Sequence, residues 1–201
     1  MRNVGILIFD GVELLDFCGP HEAFTAVNYG GGNALFTVFT VAEKGGEVAS
    51  RAGLRVIADY SFDDAPHIDV LVVPGGQGTR REIDNPVVVD WIAKIAGSAE
   101  LTTSVCTGSF LLAKAGTLPD GSRATTHWGS IGRMRDMFPG IEVHENVRWI
   151  DDGAVVSSAG VSAGIDMSLH VIERLCGRAA AESSARTMEY DYWQPATAAT
   201  R

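Results

Sequence analysis

The stretch SVCTGSFLLAKAG, residues 104–116, joins the end of an apolar, β-branched run (LTTSV, 101–105) to a segment with helical spacing that starts at Thr107. Between them stands Cys106. A strand that turns sharply into a helix holds the corner residue in a strained backbone conformation and lifts its side chain above the sheet, where it can act as a nucleophile. Gly108 and Ser109 are small enough for the tight turn, whereas Ser104 stands where a strict GxCxG would have glycine. A helix N-terminus favours an anion, so the thiol is expected to have its pKa lowered from about 8.5 into the range of about 3.5–7.5. Cys106 should then be substantially thiolate near neutrality. A plain buried cysteine of a core would fit the same position, but the order apolar strand, Cys, Thr-Gly-Ser, apolar helix points to the nucleophile. Cys18 and Cys176 lack that setting and read as packing residues.

Outward from this corner the pattern repeats. Apolar runs bounded by turn residues alternate with longer amphipathic stretches, the signature of strands and helices alternating around a largely parallel sheet. Strands are predicted over 4–9, 36–42, 70–73, 101–105 and 154–157, with shorter ones over 55–58 and 147–150. Helices are predicted over 20–27, 86–96, 107–115, 126–137, 163–175 and 179–189. Asn85 before Pro86 reads as an N-cap with proline in the first helical turn. The 201 residues contain no linker, repeat or low-complexity segment, so one α/β domain is expected over 1–201, with a poorly ordered Ala/Thr-rich tail after about residue 193.

The formal charge of −9 and the absence of a basic tract speak against nucleic acid and anionic membrane as partners, because phosphate binding needs clustered Lys and Arg. Small molecules are the expected partners. The apolar run near the start is short and flanked by acids, unlike a signal peptide, and no stretch is long enough to span a bilayer; a cytoplasmic location is expected. The 3 cysteines show no CxxC spacing, and His21, His67, His144 and His170 show no HExxH, so neither a disulfide framework nor a metal site is expected.

A second corner is VLVVPGGQG, residues 70–78, where a hydrophobic strand ends in Pro-Gly-Gly. The amides of Gly75 and Gly76 can approach a ligand closely and, with the amide of Thr107, could form an oxyanion-type hole, in which one donor is worth about 3 kcal/mol. A plain glycine turn is the alternative. A third feature is LIFDGVELLDFCGP, residues 7–20, in which Asp16 alone of Asp10, Glu13 and Asp16 is embedded between apolar residues. An acid there is either a cap for a helix opening at Gly19-Pro20 or a carboxyl whose pKa is raised for proton transfer.

The segments VVPGGQGTRR, SVCTGSFLLAKAGTL, RATTHW and VSAGIDMSL, with LDFCGPHEAF near the start, resemble the ThiJ/PfpI superfamily over nearly the whole chain. That resemblance implies a flavodoxin-like three-layer sandwich with the cysteine at a nucleophile elbow. Asp16 in LDFCGP, Cys106-Thr107 in SVCTG and the late MEYDYW look most like the isonitrile hydratase branch. This implies Asp16, Cys106 and Thr107 as the catalytic trio, an isonitrile as substrate, no cofactor, and a homodimer. Protease-like members carry histidine directly after the cysteine, where this chain has Thr107, so proteolysis is disfavoured. His127 in ATTHW reads either as a structural hydrogen-bonding residue or as a base near the elbow. The segment 162–166 (SAGID) reads as an N-cap and close-packing device at a helix start. The implied reaction converts an isonitrile to the N-substituted formamide through a cysteine thioimidate. An amidase, an enzyme of glyoxal-type aldehydes, and a stand-alone redox- or ligand-sensing module are the alternatives. Regulators with a similar domain carry a helix-turn-helix region, for which the residues after Trp193 leave no room.

Overall fold

The computed structural model describes residues 1–30 and 33–190; the tail and the last three residues of MEYDYW lie outside the described residues. The chain runs through β1 (Arg2–Leu7), α1 (Leu14–Ala26), β2 (Phe36–Ala42), β3 (Gly46–Ala49), β4 (Arg55–Ala58), β5 (Tyr60–Ser61), β6 (Val70–Val73), α2 (Thr79–Glu82) and α3 (Pro86–Ala96). It continues through β7 (Leu101–Val105), α4 (Gly108–Lys114), β8 (Arg123–Ala124), α5 (Ile131–Met137), β9 (Glu142–Val143), β10 (Trp149–Asp151), β11 (Val155–Ser158), α6 (Ala163–Cys176) and α7 (Arg178–Thr187).

The main sheet has the order β10-β11-β7-β6-β1-β2-β5, parallel except for the antiparallel edge pair β10–β11. Its central strands, β6 and β7, are buried throughout, which is why their sequences read as continuous apolar and β-branched runs rather than alternations. Helices α1, α6 and α7 pack together on one face and α2, α3 and α4 on the other, completing a flavodoxin-like three-layer sandwich. The contact between α1 and α6 is close because a Cβ on Gly19 would lie 3.0 Å from Ile165, and one on Gly164 would lie 3.0 Å from Val105 and 3.6 Å from Pro20. No helix among the described residues is long and apolar enough to cross a membrane.

Several expected boundaries move, each for a local reason. The first helix begins at Leu14 rather than at Pro20, so Pro20 is interior and Asp16 sits in the first turn, not before a helix opening at Gly19-Pro20. That start is fixed by tertiary contacts, with the Glu13 amide bonded to the Gly75 carbonyl (2.9 Å) and Val12 bridged to Gly76. The helix expected over 126–137 is shortened to α5, preceded by a 3-10 turn at Trp128–Ser130. Its start is committed elsewhere, Thr126 Oγ1 donating to the Cys106 carbonyl (2.9 Å) and, just before it, Thr125 N to Ser157 Oγ (2.9 Å). The strand at Arg55–Ala58 forms, but as a hairpin with β3 outside the main sheet. Asn85 caps α3 as expected, its Oδ1 accepting from Val87 N at 3.1 Å with Pro86 following.

Candidate active site

Cys106 stands between β7 and α4 with φ 56°, a left-handed conformation rare for any residue other than glycine. Its backbone is tied down on both sides. The amide donates to the carbonyls of Ser158 and Ala159 (3.2 Å each), while its own carbonyl accepts from Ser109 Oγ (3.1 Å) and Thr126 Oγ1. The tightness of this elbow explains the glycine two residues on: a Cβ on Gly108 would collide with the Val73 carbonyl. Ser104, where the strict pattern has glycine, is fully buried in β7 and its hydroxyl has no partner.

The Pro-Gly-Gly turn after β6 lies directly against the elbow. A Cβ on Gly75 would fall 2.5 Å from Thr107 N, 2.7 Å from Thr107 Oγ1 and 2.9 Å from Asp16 Oδ2, so only glycine fits. Both glycine amides are engaged: Gly75 N donates to Asp16 Oδ2 (2.9 Å) and Gly76 N to Thr107 Oγ1 (3.0 Å). Thr79, which sequence reasoning passed over, closes this network. Its buried hydroxyl donates to the Gly76 carbonyl (2.8 Å) and meets Thr107 Oγ1 at 3.1 Å. Asp16, Cys106, Thr107, Gly75 and Gly76, distant in sequence, therefore converge at the carboxyl ends of β6 and β7, where open α/β sheets take their ligands.

Electrostatics at the elbow differ from the expectation of a ready thiolate. Cys106 is 6% exposed, and burial, reinforced by the charge of Asp16, pushes its thiol up to about 12. The Thr107 amide and hydroxyl and the Val161 amide oppose that rise without overcoming it. A helix end stabilises a thiolate only when the sulfur stays hydrated or meets a cation; here it is buried beside a carboxyl. Asp16 has no accessible surface, and burial raises its pKa to about 7 against the pull of the Gly75 amide, with Glu13 adding to the rise and the Cys106 thiol opposing it. Its Oδ1 has no aligned hydrogen-bond partner. Among the described residues no cation contributes to either shift, and the two acids lie buried side by side, each altering the other's proton affinity.

His127 sits beside this pair rather than in it. Its Nδ1 accepts from Gly129 N (3.1 Å), and Gly160 packs against its ring. Phe17 and Phe24 belong to the core, whereas Trp128 is 83% exposed. Ser162 makes no cap bond to α6; its hydroxyl instead accepts from Arg148 (3.3 Å). Cys18 and Cys176 are half-buried, in α1 and at the end of α6, and burial raises both thiols. Among the described residues no group of His, Cys, Asp and Glu is arranged to hold a metal ion.

A model of the DJ-1/PfpI family matches residues 2–174. The chain belongs to the DJ-1/PfpI family. Within it, the isonitrile hydratase of Pseudomonas putida is 34% identical over 191 residues, covering 94% of this chain and 78% of that protein. The HTH-type transcriptional regulator GbdR of Pseudomonas aeruginosa is 32% identical over 177 residues; the match takes in 88% of this chain and 47% of the regulator, about half its length. A THiJ/PfpI family protein from Pseudomonas syringae has the same fold, with a TM-score of 0.85 at 29% identity over 99% of this chain and 79% of that one.

Proposed function

We propose that the protein hydrates isonitriles to N-substituted formamides, with Cys106 as nucleophile and Asp16 as the single acid–base group. The observation that carries this reading is the buried carboxyl of Asp16, uncompensated by any cation among the described residues and beside a buried thiol at a strained elbow. Likeness to an isonitrile hydratase over 94% of the chain adds to it.

In the first step the Asp16 carboxylate takes the thiol proton as the sulfur lone pair attacks the terminal carbon of R–N≡C. The same proton passes to that carbon, whose lone pair becomes the new C–H bond, giving R–N=CH–S–Cys106. No separated charges are left in the dry site, which suits a pair that holds one proton above pH 7. In the second step Asp16 takes a proton from water, hydroxide adds to the thioimidate carbon, and the proton moves to nitrogen. Loss of the sulfur from R–NH–CH(OH)–S–Cys106, with the hydroxyl proton returning to Asp16, releases R–NH–CHO. Gly75 and Gly76 act here as holders of Asp16 and of Thr107, and Thr107 presents its amide to the sulfur.

The test is a panel of isonitriles, amides and methylglyoxal with product detection by NMR, in wild type and in Asp16→Asn. Formamide from isonitriles alone, lost in the variant, supports the reading; turnover of amides or methylglyoxal instead would replace it. A ligand- or redox-sensing role is the second reading, favoured by the likeness to a transcriptional regulator. It requires that no substrate of the panel turn over. A homodimer is part of the first reading, and light scattering at the monomer mass would count against it.

A further inference from the structure

Thr79, the first residue of α2, is 2% exposed, and its hydroxyl stands between two groups of the site. It lies 2.8 Å from the Gly76 carbonyl and 3.1 Å from Thr107 Oγ1. A hydroxyl has one proton and two lone pairs, so the distances decide where each proton goes. The Thr79 proton goes to the Gly76 carbonyl, since 2.8 Å is the ordinary length of an O–H···O bond and 3.1 Å is long for one. That carbonyl also receives the Thr79 amide (3.3 Å), which occupies its second lone pair. Thr107 Oγ1 in turn accepts from the Gly76 amide (3.0 Å). For its own proton it has the occupied Gly76 carbonyl at 3.3 Å or a free lone pair of Thr79 Oγ1 at 3.1 Å. The thiol of the preceding residue, protonated in the resting site, is a weak acceptor. The Thr107 proton therefore belongs on the line to Thr79.

We propose that Thr79 is a positioning residue for the water step, holding the Thr107 hydroxyl proton so that the Thr107 oxygen stands beside Asp16 as an acceptor. The two oxygens flank Gly75, where an added Cβ would lie 2.7 Å from Thr107 Oγ1 and 2.9 Å from Asp16 Oδ2. In the second step one hydrogen of the attacking water goes to Asp16, the base, and the other is accepted by Thr107 Oγ1 without being transferred. Two acceptors then fix the direction of the water lone pair that forms the new C–O bond to the thioimidate carbon. The sulfur carries no charge at that stage, so it does not compete with Thr79 for the Thr107 proton. This inference rests on the proposed hydration, but the assignment of the proton is tested without it.

The experiment has two arms, a neutron structure of the deuterated resting protein and the kinetics of isonitrile turnover in Thr79→Val and Thr79→Ser, each with a melting curve. The neutron map should place the Thr107 deuterium on the line to Thr79 Oγ1 and the Thr79 deuterium on the line to the Gly76 carbonyl. Thr79→Val keeps the shape of the side chain and loses the hydroxyl. In a single turnover followed by intact-protein mass spectrometry, its Cys106 thioimidate should decay about tenfold more slowly than in wild type, the scale of one hydrogen bond. Its kcat/KM, which reports the first step, should be unchanged. Thr79→Ser should restore the wild-type decay. A Thr107 deuterium pointing to Asp16 or to the sulfur would overturn the proposal, whether or not Thr79→Val folds. A folded Thr79→Val with the wild-type decay, or with kcat/KM lowered as much as the decay, would overturn it as well. A wild type inert to isonitriles would instead take down the proposed function, and the neutron map would still decide where the Thr107 proton is held.

Discussion

Two buried carboxyls sit in the first turns of two helices packed on one another, and they are treated in opposite ways. Asp166, in α6, is 7% exposed and fully occupied, with Arg148 Nε at 2.6 Å on Oδ2 and the Tyr190 hydroxyl at 3.0 Å on Oδ1. Asp16, in α1, has one backbone amide on Oδ2, nothing aligned on Oδ1, and a thiol for a neighbour. A charge that is buried and paired belongs to the architecture; a charge that is buried and left unpaired is held at a cost that only chemistry explains. On the proposed function, burial alone does not single out the working carboxyl. Its missing partner does.

Substitutions can break the comparison. Cys106→Ala is expected to abolish turnover, while Cys18→Ser and Cys176→Ser keep most of it; retained turnover in Cys106→Ala would end the covalent mechanism. Asp16→Asn should lower kcat by roughly 10²–10⁴, the usual contribution of a positioned acid–base group, with the fold intact by its melting curve. Asp166→Asn should do the reverse. It leaves Arg148 without its buried counter-ion and is expected to cost about 1–3 kcal/mol in urea unfolding, with kcat reduced far less than in Asp16→Asn.

The smallest effect sharpens the contrast through pH. Since the folded-state pKa of Asp16 is raised from 3.8 to about 7, the native state holds a proton that the unfolded chain has released. The stabilisation this gives is complete below about pH 4 and is lost as pH rises through 7, where the ionised carboxyl costs up to about 4 kcal/mol. Asp16→Asn lacks that cost, so its stability relative to wild type should improve between pH 5 and pH 8. A constant difference across that range would show that Asp16 is not buried as a free acid. Activity should show the same group from the other side, with kcat/KM rising through an apparent pKa near 7 and no fall on the alkaline side up to pH 10, because the second proton of the pair leaves only near 12.

How much of this was legible in the sequence follows from the range of the interactions involved. The buried strands β6 and β7 announce themselves as apolar runs, and the elbow as a cysteine followed by small residues, because these are local demands of backbone and packing. The start of α1 was not legible, since Leu14 is set by bonds from residues 12 and 13 to the Gly75–Gly76 turn, some sixty positions away. The residues implied by family resemblance do meet, but the sequence misjudged the charge state of the thiol. Local rules place Cys106 at a helix start, whereas its pKa is decided by the dry space and by a carboxyl from another helix. Val161 gave no signal at all: a β-branched residue is the last type expected at positive φ, and only tertiary restraint keeps it there.

The central claim is that Asp16 and Cys106 form one uncompensated pair handling a single proton, and the direct measurement is the titration of the Asp16 carboxyl by isotope-edited infrared spectroscopy. In wild type the carboxyl band should give way to carboxylate with a midpoint near pH 7. In Cys106→Ala the midpoint should rise further, because the thiol is one of the groups that lowers it. A midpoint close to the ordinary value of about 4 in both proteins would contradict the account, since Asp16 would then be a carboxylate with no proton to manage.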